Sequence, residues 1–114
     1  MKIIICGGRE FRLFTEHTLI LTRLHQLFRF TEIVSGRCAG ADKDAEDWAK
    51  ENHLPIKQFI PAWVAEGKKA GPLRNEEMAN YADACIAFPG GKGTADMIDR
   101  ALAHGLLTIV MKNK

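Results

Sequence analysis

The chain of 114 residues is 46% hydrophobic and 26% charged, the balance of a soluble globular domain able to bury one core without disulfide or metal staples. Sixteen basic against 14 acidic residues leave a net charge of only +2, so no global basic field advertises a nucleic-acid partner. Low-complexity, collagenous and disordered classes are excluded by the same composition.

The predicted elements alternate between strand and helix. Ile3-Ile4-Ile5-Cys6 reads as a buried strand ending at the double glycine Gly7-Gly8. Between Thr15 and Phe30 the residues Ile20, Leu21, Leu24, Leu27 and Phe28 recur at helical spacing. Glu32–Ser35 is a second strand, ended by Gly36, and a helix from about Ala41 carries Ala41, Ala45, Trp48 and Ala49 on one face. Pro55 opens a third strand through Ile60, after His53-Leu54 punctuates the helix. Pro61–Pro72 has no regular pattern, and Arg74–Tyr81 reads as a short helix. Asp83–Phe88 is the fourth strand. Gly93–His104 is the last helix, with Thr94, Met97, Ile98, Ala101 and Leu102 inward and Gly105 as its C-cap. Leu106–Met111 closes as a fifth strand. This alternation predicts an α/β fold: a single Rossmann-like three-layer domain over residues 1–114, with a mostly parallel sheet of about five strands.

Cys6, Cys38 and Cys85 form an odd set without paired spacing, as expected of a reduced, cytoplasmic chain. The apolar run at the N-terminus is too short for a signal peptide or membrane span. The four histidines have no zinc-ligand spacing, so neither a metal nor a cofactor is expected.

Seven of the ten glycines follow a predicted strand: Gly7 and Gly8, Gly36 and Gly40, and Gly90, Gly91 and Gly93. Glycine also serves ordinary tight turns, but in a parallel sheet these three loops emerge at one edge, where open α/β folds bind ligands. Phe88-Pro89-Gly90-Gly91-Lys92-Gly93-Thr94-Ala95-Asp96 carries the strongest local signal. Glycines there let amides converge on an anion at the positive end of a helix, and Thr94 either caps that helix or donates to a phosphate oxygen. The order is neither a Walker loop nor a GxGxxG fingerprint, which disfavours a triphosphate motor and a dehydrogenase. In the loop Ser35–Asp42, Asp42 is either a structural cap or an acceptor for ribose hydroxyls. Arg9, Arg37 and Arg74 lie in or beside loops at the same edge, suited to gripping phosphate.

Pro89-Gly90-Gly91-Lys92-Gly93-Thr94 resembles the PGGxGT motif of the SLOG superfamily, which includes the Lonely-guy phosphoribohydrolases and the DNA-processing protein Smf/DprA. The YspA-like, or YAcAr, branch is more similar still. Its pattern runs through Gly7-Gly8-Arg9-Glu10-Phe11, Ser35-Gly36 with Gly40-Ala41-Asp42, Trp48-Ala49, Pro61-Ala62-Trp63, Gly67-Lys68, Gly71-Pro72-Leu73-Arg74-Asn75 and Gly93–Met97. The resemblance covers essentially the whole chain. It implies a nucleotide-binding Rossmannoid fold, at least a dimer, and a role in sensing or processing nucleotide derivatives. In the hydrolase branch catalysis uses an arginine, which Arg74 matches, and a glutamate in PGGxGTxxE. Met97 stands at the glutamate position, with Asp96 one residue earlier.

Three functions follow as expectations. The first is binding of a phosphorylated nucleotide derivative such as ADP-ribose, with Gly90, Gly91, Gly93 and Thr94 on phosphate. Arg9, Arg74 and Asn75 adjoin the site, and Asp42 or Asp96 meets ribose. In this reading Trp63 either stacks on a base or packs. The second is cleavage of a nucleoside monophosphate by Arg74 and Asp96. Single-stranded DNA binding is the third, and few aromatics or basic clusters support it.

Overall fold

The run Ile3–Ile5 has no polar residue to turn toward water, and it becomes the middle of the sheet. In the computed structural model, which describes residues 1–112, β1 (Lys2–Cys6) is paired along both edges. The chain continues through α1 (Thr15–Phe28), β2 (Glu32–Ser35), α2 (Ala41–Glu51), β3 (Ile56–Gln58) and α3 (Trp63–Glu66). A 3-10 turn at Gly67–Lys69 leads into α4 (Ala70–Tyr81), β4 (Ala84–Ala87), α5 (Lys92–Ala103) and β5 (Leu107–Val110). The five strands are all parallel, in the order β3-β2-β1-β4-β5.

Successive side chains along a strand point to opposite faces, so the sheet feeds two cores. On one face Ile3, Ile5, Ile33 and Ile86 pack with Leu21 of α1 and Ala45 and Trp48 of α2. On the other, Ile4, Val34 and Cys85 pack with Met78 of α4 and Met97 and Ala101 of α5. The expected three-layer, Rossmann-like α/β architecture is present. Because strand order runs outward from β1 in both directions, the topological switch point lies between β1 and β4.

Several boundaries differ from those expected. α4 begins at Ala70, four residues before Arg74, and takes in Pro72 at its third position. Proline is tolerated there because first-turn amides have no partner within a helix. The Pro61–Pro72 stretch is therefore partly helical. β3 is shorter than Pro55–Ile60, and Ile60 is exposed. Leu102 of α5 is exposed rather than inward, as are Ile20, Leu27 and Phe28 of α1, where only Leu21 is fully buried. Gly105 has φ of 74°, and the amide of Leu106 reaches the Ala101 carbonyl at 3.0 Å, the left-handed helix end expected there. Among the described residues no helix is long and apolar enough to cross a membrane.

Candidate functional site

β1 and β4 lie side by side at the switch point, so the turns that follow them meet. The Gly8 amide donates to the Pro89 carbonyl at 2.9 Å, and the Gly8 carbonyl accepts from the amides of Phe11 (3.2 Å) and Ala41 (3.3 Å). A Cβ on Gly90 would stand 2.2 Å from Thr94 Oγ1 and 2.7 Å from the Gly8 nitrogen. Only glycine permits that approach. The Thr94 side chain is thus buried beneath the turn and does not cap the helix, which starts at Lys92 with Gly91 in the N-cap position. Added Cβ atoms at Gly91 and Gly93 would meet nothing within 4 Å, so this backbone is open. The first-turn amides of α5 and its dipole converge on that opening.

A second set of bonds fixes the loop after β2. Arg74 Nη1 donates to the Gly36 carbonyl at 2.5 Å, and Arg74 Nε donates to Asn75 Oδ1 at 2.9 Å. A Cβ on Gly36 would stand 2.7 Å from that Nη1. Asn75 Nδ2 in turn reaches Asp96 Oδ2 at 3.0 Å and the Gly93 carbonyl at 3.3 Å. Asp96 Oδ2 also accepts from Arg100 Nε at 2.9 Å. One polar chain therefore runs from the β2–α2 loop across α4 to α5.

Asp42 lies beneath this loop and is only 4% exposed. Its Oδ2 accepts from the Cys38 amide at 3.4 Å, while Oδ1 has no hydrogen-bond partner among the described residues. Burial pushes its carboxyl up to about 6, against the opposing pull of the Cys38 and Gly7 amides and the Arg74 charge. Asp42 thus stitches the loop from inside, a structural role distinct from helix capping. Ser35 is also internal: its hydroxyl donates to Glu46 Oε2 at 2.7 Å, Gln58 donates to Glu46 Oε1, and the Arg37 amide returns to Ser35 Oγ.

Above these groups is a cavity of about 630 Å³ at the carboxyl edge of the sheet. It brings together Gly7, Gly8, Arg9, Gly36, Asp42, Arg74, Asn75, Gly91, Lys92, Gly93, Thr94 and Asp96. Ser35, Gly40, Pro89 and Gly90 do not line it, nor does Arg37, an exposed residue with φ of 61°. Trp63, weighed in the sequence as a base stack or a packing residue, lines the wall, and Cys6, Cys38, Met78 and Met97, outside the sequence-based site set, complete it. Trp63 is half exposed, its ring edge 3.4 Å from the point where a Gly71 Cβ would sit. The free Cys6 thiol is pushed well above its usual range by a hydrogen bond with the Cys85 thiol and by burial, which favours its protonated form. Met97 is buried in the second core, with no acid to offer the cavity.

A model of the YspA, cpYpsA-related SLOG family matches residues 1–65, more than half of the chain. The chain belongs to this SLOG family. The matched stretch of this SLOG protein holds Gly7, Gly8, Arg9, Gly36, Asp42 and Trp63, and ends before Arg74 and the Gly91–Thr94 turn. Over 122 residues the SLOG chain is 33% identical to the Gene 61 protein of Mycobacterium phage D29. That alignment covers 99% of this chain and 98% of the phage protein, and so spans the whole site. No solved structure matches. SLOG membership points to a nucleotide-related function.

Proposed function

We propose that this SLOG chain binds a phosphorylated nucleotide derivative of ADP-ribose type and acts as a sensor or sequestering protein. The observation that carries the reading is the open first turn of α5, which faces Arg74 across one cavity at the switch point. Amides of Lys92, Gly93 and Thr94 supply donors for a phosphate, and the helix dipole favours its charge. Arg9 and Lys92 add positive charge at the rim. Trp63 offers a flat face for a base beside the Gly71-Pro72 segment. Asp96, with Oδ2 engaged by Asn75 and Arg100, directs its carboxylate toward ribose hydroxyls as an acceptor.

Equilibration of the purified chain with AMP, ADP-ribose, NAD and cyclic nucleotides, followed by size filtration and HPLC of both fractions, tests this. Intact ligand released by heat from the retained fraction supports it. Failure to retain any phosphorylated nucleoside would overturn it.

A hydrolase reading rests on Arg74 and Asp96 lining the same cavity. Cleaving an N-glycosidic bond needs an acid or base at the reacting bond, and the expected glutamate position is the buried Met97. Free base and ribose phosphate in the filtrate would restore that activity. The homo-oligomer implied by family resemblance draws support from Leu27 and Phe28, exposed on α1, and light scattering of the full chain tests it.

A further inference from the structure

A second, separate hollow of about 370 Å³ opens on the other side of the Pro89 turn, between α1 and the ends of β4 and β5. Phe11, His17, Ile20, Phe88, Pro89 and Met111 give it aromatic and apolar walls, and the charged Glu16 and Lys112 line it as well. Phe11 and Phe88 stack with centroids 5.9 Å apart, and His17 meets both edge-on at 5.1 and 5.7 Å. His17 Nδ1 accepts from the Phe14 amide at 2.9 Å, which leaves Nε2 as the ring's donor, with Glu16 Oε1 4.0 Å away. An aromatic wall with a few polar groups at its rim is the chemistry that holds a heterocycle.

A shallow groove of about 480 Å³ joins this hollow to the first cavity. It shares Gly8, Arg9 and Gly91 with the cavity and Phe11 and Pro89 with the hollow. Its floor is the Gly8–Gly90 crossing, where no side chain stands between the two turns: a Cβ on Gly8 would lie 3.0 Å from Gly90 Cα. Arg9 and Glu10 both line the groove, and no carboxylate, Glu10 included, pairs with Arg9 among the described residues. A backbone-floored saddle with one free guanidinium accommodates a pyrophosphate passing between two lobes.

We propose that the ligand is a dinucleotide pyrophosphate. One nucleoside lies in the Trp63 cavity, the pyrophosphate crosses the Gly8–Gly90 saddle, and the second heterocycle lies against Phe11 and His17, which the buried Phe88 backs from behind. This rests on the nucleotide-binding reading above and narrows its ligand class.

The test is calorimetric titration of the full chain with AMP, ADP, NAD and diadenosine diphosphate, repeated on Ile20→Arg and Met111→Arg. Both substitutions place a long charged side chain in the hollow, away from the Trp63 cavity. For the parent chain NAD or diadenosine diphosphate binds at least ten-fold more tightly than ADP. In the two variants that advantage vanishes, while AMP affinity stays as in the parent, which also shows that they are folded. Equal affinity for ADP and both dinucleotides would overturn the two-lobed site and leave mononucleotide binding standing. So would a dinucleotide advantage that survives in a variant retaining AMP affinity. Binding of none of the four would overturn the two-lobed site, and the filtration assay with ADP-ribose and cyclic nucleotides would then decide the nucleotide-binding reading separately. If one variant does not fold, the other decides alone. If neither folds, the parent's ADP-to-dinucleotide ratio decides.

Discussion

Arg74 on α4 donates to the carbonyl oxygen of Gly36 at 2.5 Å, joining a helix on one face of the sheet to the loop that follows β2. The same guanidinium lies next to Asn75 and shares a cavity wall with the first turn of α5. Arg74 therefore shapes the site as well as charging it. Arg74→Ala is expected to weaken binding of a phosphorylated nucleoside ten-fold or more, since bonds to a charged group contribute about 1.5–3 kcal/mol. It also leaves the Gly36 carbonyl without its donor, at a stability cost of roughly 1–2 kcal/mol. Arg74→Lys restores the charge but not the two-sided grip, so calorimetry should place its affinity between the two.

The turn after β4 separates two kinds of glycine. Gly90→Ala forces a Cβ against Thr94 Oγ1 and the Gly8 nitrogen, and a loss of about 1–3 kcal/mol is expected from the overpacking. Gly91→Ala meets nothing within 4 Å and should cost less than about 1 kcal/mol, the difference between glycine and alanine at the N-cap of α5. Urea melts of the pair check this. Equal stability would mean that the β1 and β4 turns do not touch as described.

Asp42 makes stability depend on pH with an unusual sign for a carboxylate. Its folded-state value of about 6 lies above the ordinary 3.8, so the folded chain holds the proton more tightly than the unfolded one. Stability from this group is fully present below about pH 4 and is lost as pH rises to about 6, at a cost of up to roughly 3 kcal/mol. Asp44, held low by Arg12, slopes the opposite way. The difference between parent and Asp42→Asn isolates the Asp42 contribution. The variant is expected to gain stability over the parent between pH 4 and 6 and to keep that gain at pH 8. A constant difference across the range would refute the assignment.

Incubation with AMP is expected to leave the nucleotide intact, because Met97 is buried where the hydrolases carry glutamate. HPLC of the mixture reads this directly. If base is released, Asp96→Asn should abolish that release, and unchanged release would remove Asp96 from the chemistry.

The strand–helix alternation was legible because Ile3–Cys6, Glu32–Ser35 and Ala84–Ala87 are short apolar runs closed by glycine or proline signals. The start of α4 was not. Pro72 reads as a breaker in sequence, and only its place in a first turn makes it compatible with helix. That Gly7, Gly8 and the Gly91–Thr94 turn line one cavity was legible because loops after parallel strands share an edge, and Arg74 joins them there from α4. The Ser35–Glu46 bond was not legible, since it depends on which turn of α2 stands above β2. Asp42 left two roles open in sequence. Its bond to Cys38, a residue before the helix, depends on the path of the intervening loop. The cluster around His17 likewise arises only when α1 packs beside Phe88.

The β2–α2 loop is held from two sides, by Arg74 at Gly36 and by Asp42 at Cys38. A segment braced in this way before any ligand arrives has little ordering left to lose on association. Encounter should then proceed without a slow closing step, and differences among related ligands should show in how long each one stays.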